Sequence, residues 1–188
     1  MNTPFSSLPA LRSFDLSWFL RRESSFMSSN LDAIVLLDTS VLQSDWIDYN
    51  NHMNGAFFLV AFDKGVDAFL DLIGVTESYI EKQQASTFTL ELHATYFREL
   101  RLGDPIRTTC QLLDFDDKRA HYFFHMYHGT ENYLSATSEQ ILMHMDMRSR
   151  TPAPFPKEIL EQLTLISNTH SALPWPNQAG SVIGIRRA

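Results

Sequence analysis

The chain has 188 residues, 44% of them hydrophobic and 12% aromatic, with 15 basic against 22 acidic side chains and a formal net charge of -7. That length suits one globular domain with a ring-rich core, and the acidic balance works against a nucleic-acid partner by repelling phosphate backbones. A single cysteine, Cys110, excludes an internal disulfide and a cysteine-based metal site and fits a reducing cytoplasmic setting, and no run reaches the length of a membrane span.

Residues 1–32 are Ser-rich, carry Arg12, Arg21 and Arg22, and show weak periodicity. The apolar residues around Trp18 are too interrupted for a secretory signal, and Asp15 and Glu23 count against a mitochondrial presequence. This segment is expected to be an extension, loosely ordered or packed on a partner. The main domain is expected over residues 33–150. Ala33 to Val41 reads as a first strand, being rich in Val, Ile and Leu. After a polar stretch, Asn54 is a candidate N-cap. Phe58, Phe62, Val66, Phe69 and Ile73 then recur at helical spacing, and Gly74 follows as a C-cap. The pattern predicts a helix of about five turns, buried along most of its length.

From Ser86 the period changes to two, through Phe88, Leu90, Leu92, Ala94 and Tyr96. Gly103-Asp104-Pro105 reads as a turn into a strand over Ile106 to Phe115. Asp116-Asp117-Lys118 leads to His121 to Tyr127, and Gly129 to Asn132 leads to Tyr133 to Met147. These are four long strands on short turns, expected to form an antiparallel meander. Residues 151–188 are expected to hold a short amphipathic helix from Lys157 to Ile166, then an extended tail anchored by Trp175. The fold class is therefore α+β, one antiparallel sheet wrapped around one long helix.

Asp48-Tyr49-Asn50-Asn51-His52-Met53-Asn54 gathers a carboxylate, amides and an imidazole just ahead of that helix. A helix N-terminus offers unpaired N–H groups and partial positive charge, which suit a carbonyl oxygen as it becomes an oxyanion. Asp48 can then attack the carbonyl or deprotonate a water that does, with Asn50 and His52 holding that water or orienting the carboxylate. Such residues also populate ordinary loops and caps, but polar groups at alternate positions 48, 50 and 52 exceed what one cap requires. His121, His125 and His128 read as ordinary strand histidines, and neither a metal nor a cofactor is expected.

The Asp-x-Asn-x-His-Met-Asn run, followed by an aromatic helix, resembles the signature of hotdog acyl thioesterases. The similarity extends through Tyr96-Phe97-Arg98-Glu99 and Leu102-Gly103-Asp104, covering about residues 34 to 148. Trp46-Ile47-Asp48-Tyr49-Asn50 with His52-Met53-Asn54, and the tail Leu173-Pro174-Trp175-Pro176, resemble the thioesterases encoded with carnitine dehydrogenase. Those act on betainyl-CoA. Asn51 stands where these relatives have Gly, and Asn tolerates positive φ well enough to keep the turn.

The resemblance implies a hotdog fold, a CoA thioester substrate and a homodimer or homotetramer with its sites at the subunit boundary. It implies catalytic roles for Asp48, Asn50, His52 and Glu99, a strand-borne carboxylate for which Glu91 is the alternative. It implies that the amides near Gly55 and Ala56 polarise the thioester carbonyl beside Asn54. A quaternary ammonium acyl group would meet the rings of Trp46, Tyr49, Phe57 and Tyr96. Arg98, Arg101, Arg119, Arg148 and Arg150 are candidates for the CoA phosphates. Other readings are hydrolysis of another short or medium acyl-CoA, a non-catalytic acyl-CoA or small-ligand binding module, and a dehydratase of 3-hydroxyacyl thioesters.

Overall fold

The computed structural model describes residues 34–185, so the expected extension over 1–32 lies outside the described residues. Strand β1 (Ile34–Val41) leads through a single 3-10 turn at Ser44–Trp46 to helix α1 (Gly55–Ile73) and a short helix α2 (Glu77–Gln83). Strands β2 (Ala85–Tyr96), β3 (Pro105–Phe115), β4 (Arg119–His128) and β5 (Leu134–Asp146) follow. The short β6 (Thr151–Pro152) and helix α3 (Lys157–His170) close the fold.

Both ends of α1 follow from local chemistry. The Asn54 side chain accepts the Ala56 N–H at 2.9 Å, satisfying one of the orphan donors of the first turn. Gly74 adopts φ 96°, and its N–H returns to the Leu70 and Asp71 carbonyls. A side chain there would be strained, so the helix stops where the glycine stands. Thr76 caps α2 in the same way, accepting the Tyr79 N–H at 3.1 Å. No helical periodicity marked that short segment.

The sheet order is β1-β3-β4-β5-β2, antiparallel throughout, with β6 paired to β5. This corrects the expected meander: β3, β4 and β5 are sequential neighbours, but β2 pairs with β5 and leaves β3 to β1. The Gly103-Asp104-Pro105 turn is present, with Gly103 at φ 84°. It ends a longer connection, residues 97–104, which exceeds the two to five residues of a typical hairpin loop. Periodicity finds strands but does not pair them.

Helix α1 buries Phe58, Ala61, Phe62, Gly65, Val66, Phe69 and Ile73 against the sheet. Phe62 meets Phe124 at 6.1 Å between ring centroids, and Phe69 meets Tyr122 at 5.2 Å. Each such buried ring contributes roughly 1.5–3 kcal/mol by leaving water. Gly65 lets the helix approach this closely, because a Cβ there would lie 3.1 Å from the Phe124 ring. The helix is buried along one face over most of its length. Leu59, Val60, Asp63, Lys64, Asp67, Asp71 and Leu72 are exposed on the other. This is the hotdog arrangement, a sheet curled around one helix.

Among the described residues β3 has no β1 partner beyond Cys110, and α3 packs along this part of β3. The Leu112 N–H donates to His170 Nδ1 at 2.8 Å, and Ile159 and Leu163 are buried. The following tail is tied by Gln111 Nε2 donating to the Pro174 carbonyl at 3.3 Å and by Gly180 N–H donating to Glu139 at 2.7 Å. Trp175, the expected anchor of this tail, is 57% exposed and meets the His121 ring edge-on. His170 and the backbone contacts also hold the tail.

Candidate active site

The loop before α1 is pinned at several points. Ile47 and Met53 form an isolated antiparallel bridge. The Asp48 N–H donates to the His52 carbonyl at 3.0 Å and the Asn51 N–H to the Asp48 carbonyl at 3.0 Å. Asn51 takes φ 63°, the left-handed conformation expected of this position. The Asn54 N–H donates to the Trp46 carbonyl at 2.9 Å, and the Met53 N–H to the Leu100 carbonyl at 2.7 Å. The loop is therefore fastened to the 3-10 turn, to itself and to the segment leaving β2.

This pinning holds Asp48 at the N-terminal end of α1. Its Oδ1 accepts the Asn50 N–H at 2.8 Å, so Asn50 orients the carboxylate through its backbone, while its side chain is exposed. His52 Nδ1 lies 3.8 Å from the same oxygen, beyond hydrogen-bond length. The Asp48 side chain is only 16% exposed. Among the described residues nothing engages Oδ2, which leaves one carboxylate oxygen for chemistry.

The two helix amides differ. The Ala56 N–H is spent on the Asn54 cap, whereas the Gly55 N–H makes no bond among the described residues. Of the expected pair of carbonyl-polarising donors, Gly55 is the open one. Tyr96, half-exposed at the end of β2, donates its OH to the Gly55 carbonyl at 3.2 Å and sets its ring edge against Phe58. Partial burial raises the Tyr96 phenol pKa, so it remains a donor near neutrality.

The aromatic residues separate into different roles. Trp46 is buried and stacks on Phe57, with centroids 5.9 Å apart and planes 15° from parallel. Lys64 Nζ lies over the indole, 4.9 Å from its centroid. Sequence reasoning missed Lys64, although Phe57 and Lys64 are two helical turns apart and so share a face. Tyr49 is 93% exposed at the loop tip.

Glu99 does not lie on a strand. It follows β2 in the connection to β3, and Arg101 binds its Oε1 through Nε at 3.0 Å and Nη2 at 2.6 Å. A carboxylate so engaged is a poor base. The alternative, Glu91, is exposed in mid-β2, next to the irregularity after Thr89. The five arginines do not form one cluster. Arg98 stacks on Tyr133, Arg101 holds Glu99 and Arg119 holds Asp116; Arg148 and Arg150 lie beyond β5, beside the start of β2. His121 pairs with Glu139 at 2.8 Å, and His128 Nδ1 accepts the Thr130 and Glu131 N–H groups. A separate cleft of about 360 Å³ lies at the opposite end of α1, lined by Ile73, Tyr79, Pro156 and Ile159, and contributes no group to this site.

The sequence profile of the Thioesterase-like superfamily matches residues 41–163, which include the whole loop and α1. An L-carnitine dehydrogenase/betainyl-CoA thioesterase of Rhizobium meliloti (strain 1021) is 36% identical over 85% of this chain. The chain spans only 32% of that relative's length. A betainyl-CoA thioesterase of Pseudomonas aeruginosa strain PAO1 is 35% identical over 79% of this chain and 92% of its own. Among solved structures, a Staphylococcus aureus protein in complex with CoA superposes with a TM-score of 0.77 at 30% identity, covering 85% of this chain and all of that one. A 1,4-dihydroxy-2-naphthoyl-CoA thioesterase of Synechocystis shares the fold, with a TM-score of 0.61 at 12% identity over 67% of this chain and 93% of its own. With the profile spanning most of the folded domain, the chain belongs to the Thioesterase-like superfamily.

Proposed function

We propose that this protein hydrolyses a CoA thioester to a free acid and CoA, with betainyl-CoA as the substrate and glycine betaine as the acid released. The observation that carries the reading is the partly buried Asp48 carboxylate in the pinned loop that leads into α1, whose Gly55 N–H is unspent among the described residues. The thioesterase relatives support the reaction class, and the two betainyl-CoA thioesterases support the acyl group.

In the proposed reaction the thioester carbonyl oxygen points at the Gly55 N–H and the positive end of α1. Asp48 removes a proton from water as the water oxygen bonds to the carbonyl carbon. The tetrahedral oxyanion then collapses, the C–S bond breaks, and the proton returns to the departing thiolate to give CoA. If Asp48 attacks directly, a mixed anhydride forms and water cleaves it in a second step. The Asn50 N–H keeps the carboxylate in place in either route, with the His52 ring beside it.

The protein is proposed to act in the cytoplasm, as its lone buried thiol favours, and as a homodimer or homotetramer. Among the described residues strand β2 is a sheet edge bearing Leu90, Leu92 and Tyr96, each more than a third exposed, and a second copy pairing there would cover it. Sedimentation velocity checks this, and a monomer at micromolar concentration contradicts it.

The deciding experiment is thiol release from betainyl-, short-chain, long-chain and aromatic CoA thioesters, with Asp48→Asn alongside. The amide keeps an acceptor for the Asn50 N–H, so the loop survives while the base is lost. A rate at least about a hundredfold lower is expected. Preference for another acyl group would retain the enzyme and remove betainyl-CoA. Tight binding of CoA thioesters without any release would make the chain a binding module.

A further inference from the structure

Lys64 holds an unusual position for a surface lysine. It projects from α1 on the face that also carries Phe57, and its ammonium rests over the Trp46 indole, 4.9 Å from the centroid. Among the described residues it makes no ion pair, although Asp63 and Asp67 flank it on the same helix. Trp46 is only 6% exposed with the lysine in place, and its carbonyl holds the Asn54 N–H at the helix cap. Of the four rings around the loop, Tyr49 stands in solvent, Tyr96 is turned to Gly55 and Phe58, and Phe57 stacks on Trp46. Among them, Trp46 alone carries a cation in the described structure.

We propose that the Trp46 ring is the seat for the acyl group's quaternary ammonium, and that Lys64 occupies this seat in the free protein and is displaced when substrate binds. The inference rests on the betainyl-CoA reading and assigns the specificity determinant of that site. Indole offers the strongest ring face for a cation. A primary ammonium keeps a tight hydration shell and a flexible four-carbon stem, so it leaves the ring easily. A trimethylammonium has no N–H donors to hydrate and loses less on being laid against the ring. In betainyl-CoA one methylene separates the nitrogen from the thioester carbonyl. The cation must therefore sit close to the helix N-terminus, and the Trp46 ring lies beside the first turn, stacked on Phe57. Lys64 thus competes with the right substrate and keeps the ring covered in its absence.

The test compares betainyl-CoA with 3,3-dimethylbutyryl-CoA, in which carbon replaces the charged nitrogen at the same size. The ratio of their kcat/KM values reads cation recognition alone. Lys64→Met removes the cation that competes for the ring, so the ratio is expected to rise about fivefold, through a lower KM for betainyl-CoA. Trp46→Leu is expected to lower it by a similar factor. Should that buried substitution fail to fold, Trp46 can be read directly in the Trp18→Phe/Trp175→Phe background. There glycine betaine shifts the indole emission and 3,3-dimethylbutyrate does not. A high ratio that Lys64→Met leaves unchanged or lowers, or an emission blind to glycine betaine, overturns the proposal while leaving the betainyl reading intact. A ratio near one in the unaltered protein overturns both.

Discussion

The Met53 N–H donates to the Leu100 carbonyl at 2.7 Å, which ties the loop before α1 to the segment leaving β2. Leu100 is fully buried, so this acceptor has little freedom to move. The segment is itself braced: Tyr133 donates its OH to the Glu99 carbonyl at 2.9 Å, and Ser135 Oγ donates to the Arg98 carbonyl at 2.6 Å. Asp48 is thus positioned from the sheet side as well as by its own loop. Such bracing matters because small misplacements of a reacting group are expensive in rate.

Asn51 tests how far the loop geometry controls the site. At φ 63° a glycine is at ease and a β-branched residue is strained. Asn51→Gly is expected to leave thiol release within about twofold of the parent rate and Asn51→Val to cost about 1–2 kcal/mol of stability. Steady-state kinetics together with a urea melt check the pair. A valine variant as stable as the parent would mean that the loop relaxes to another conformation.

Asn54→Ala removes the acceptor for the Ala56 N–H, and the helix loses its cap. The expected destabilisation is about 1 kcal/mol, a fall in Tm of about 2–4 °C by calorimetry. Asn54→Asp restores the acceptor and should recover the stability. No recovery would show that the effect comes from the side chain's other surroundings.

Gly65→Val places a branched side chain where even a Cβ lies 3.1 Å from the Phe124 ring. Phe124 is fully buried and packed against Tyr122, so it has no room to retreat. A loss of about 1–3 kcal/mol is expected from overpacking, measured as a lower urea midpoint. An unchanged midpoint would mean that the helix can rise off the sheet at little cost.

His170 links the C-terminal helix to pH. Burial holds its pKa below the ordinary 6.5, and an Nδ1 that accepts the Leu112 N–H must be unprotonated. The native imidazole is therefore neutral, whereas the unfolded one takes a proton below about 6.5. Its stabilisation is present above that pH and is lost as pH falls through the lowered native value. His125, also lowered by burial, acts in the same direction. His170→Asn keeps an acceptor without titrating, so the slope of Tm between about pH 7 and 5 should flatten. His170→Ala leaves the Leu112 N–H unpaired and should cost about 1–3 kcal/mol at neutral pH. Parallel Tm profiles for the parent and the Asn variant would assign the slope to other groups.

The sequence by itself determined the long helix, the long strands and the local chemistry of the loop. Phe58, Phe62, Val66, Phe69 and Ile73 sit at the period of a helix, and Asn54 and Gly74 mark its ends because capping and left-handed φ are properties of single residues. Four later strands, the Asn51 turn and the crowding of Asp48 and His52 ahead of the helix were legible for the same reason. What only the tertiary structure decided were relations between segments distant in the chain. Strand β2 pairs with β5 instead of β3, since alternation reports which face is buried and not which neighbour is chosen. Leu100 holds the Met53 N–H, Tyr96 reaches the Gly55 carbonyl, and Lys64 lies over Trp46. Hydrogen bonds and ring faces are occupied by whatever folding brings near, and that competition is settled in space, beyond the reach of spacing along the chain.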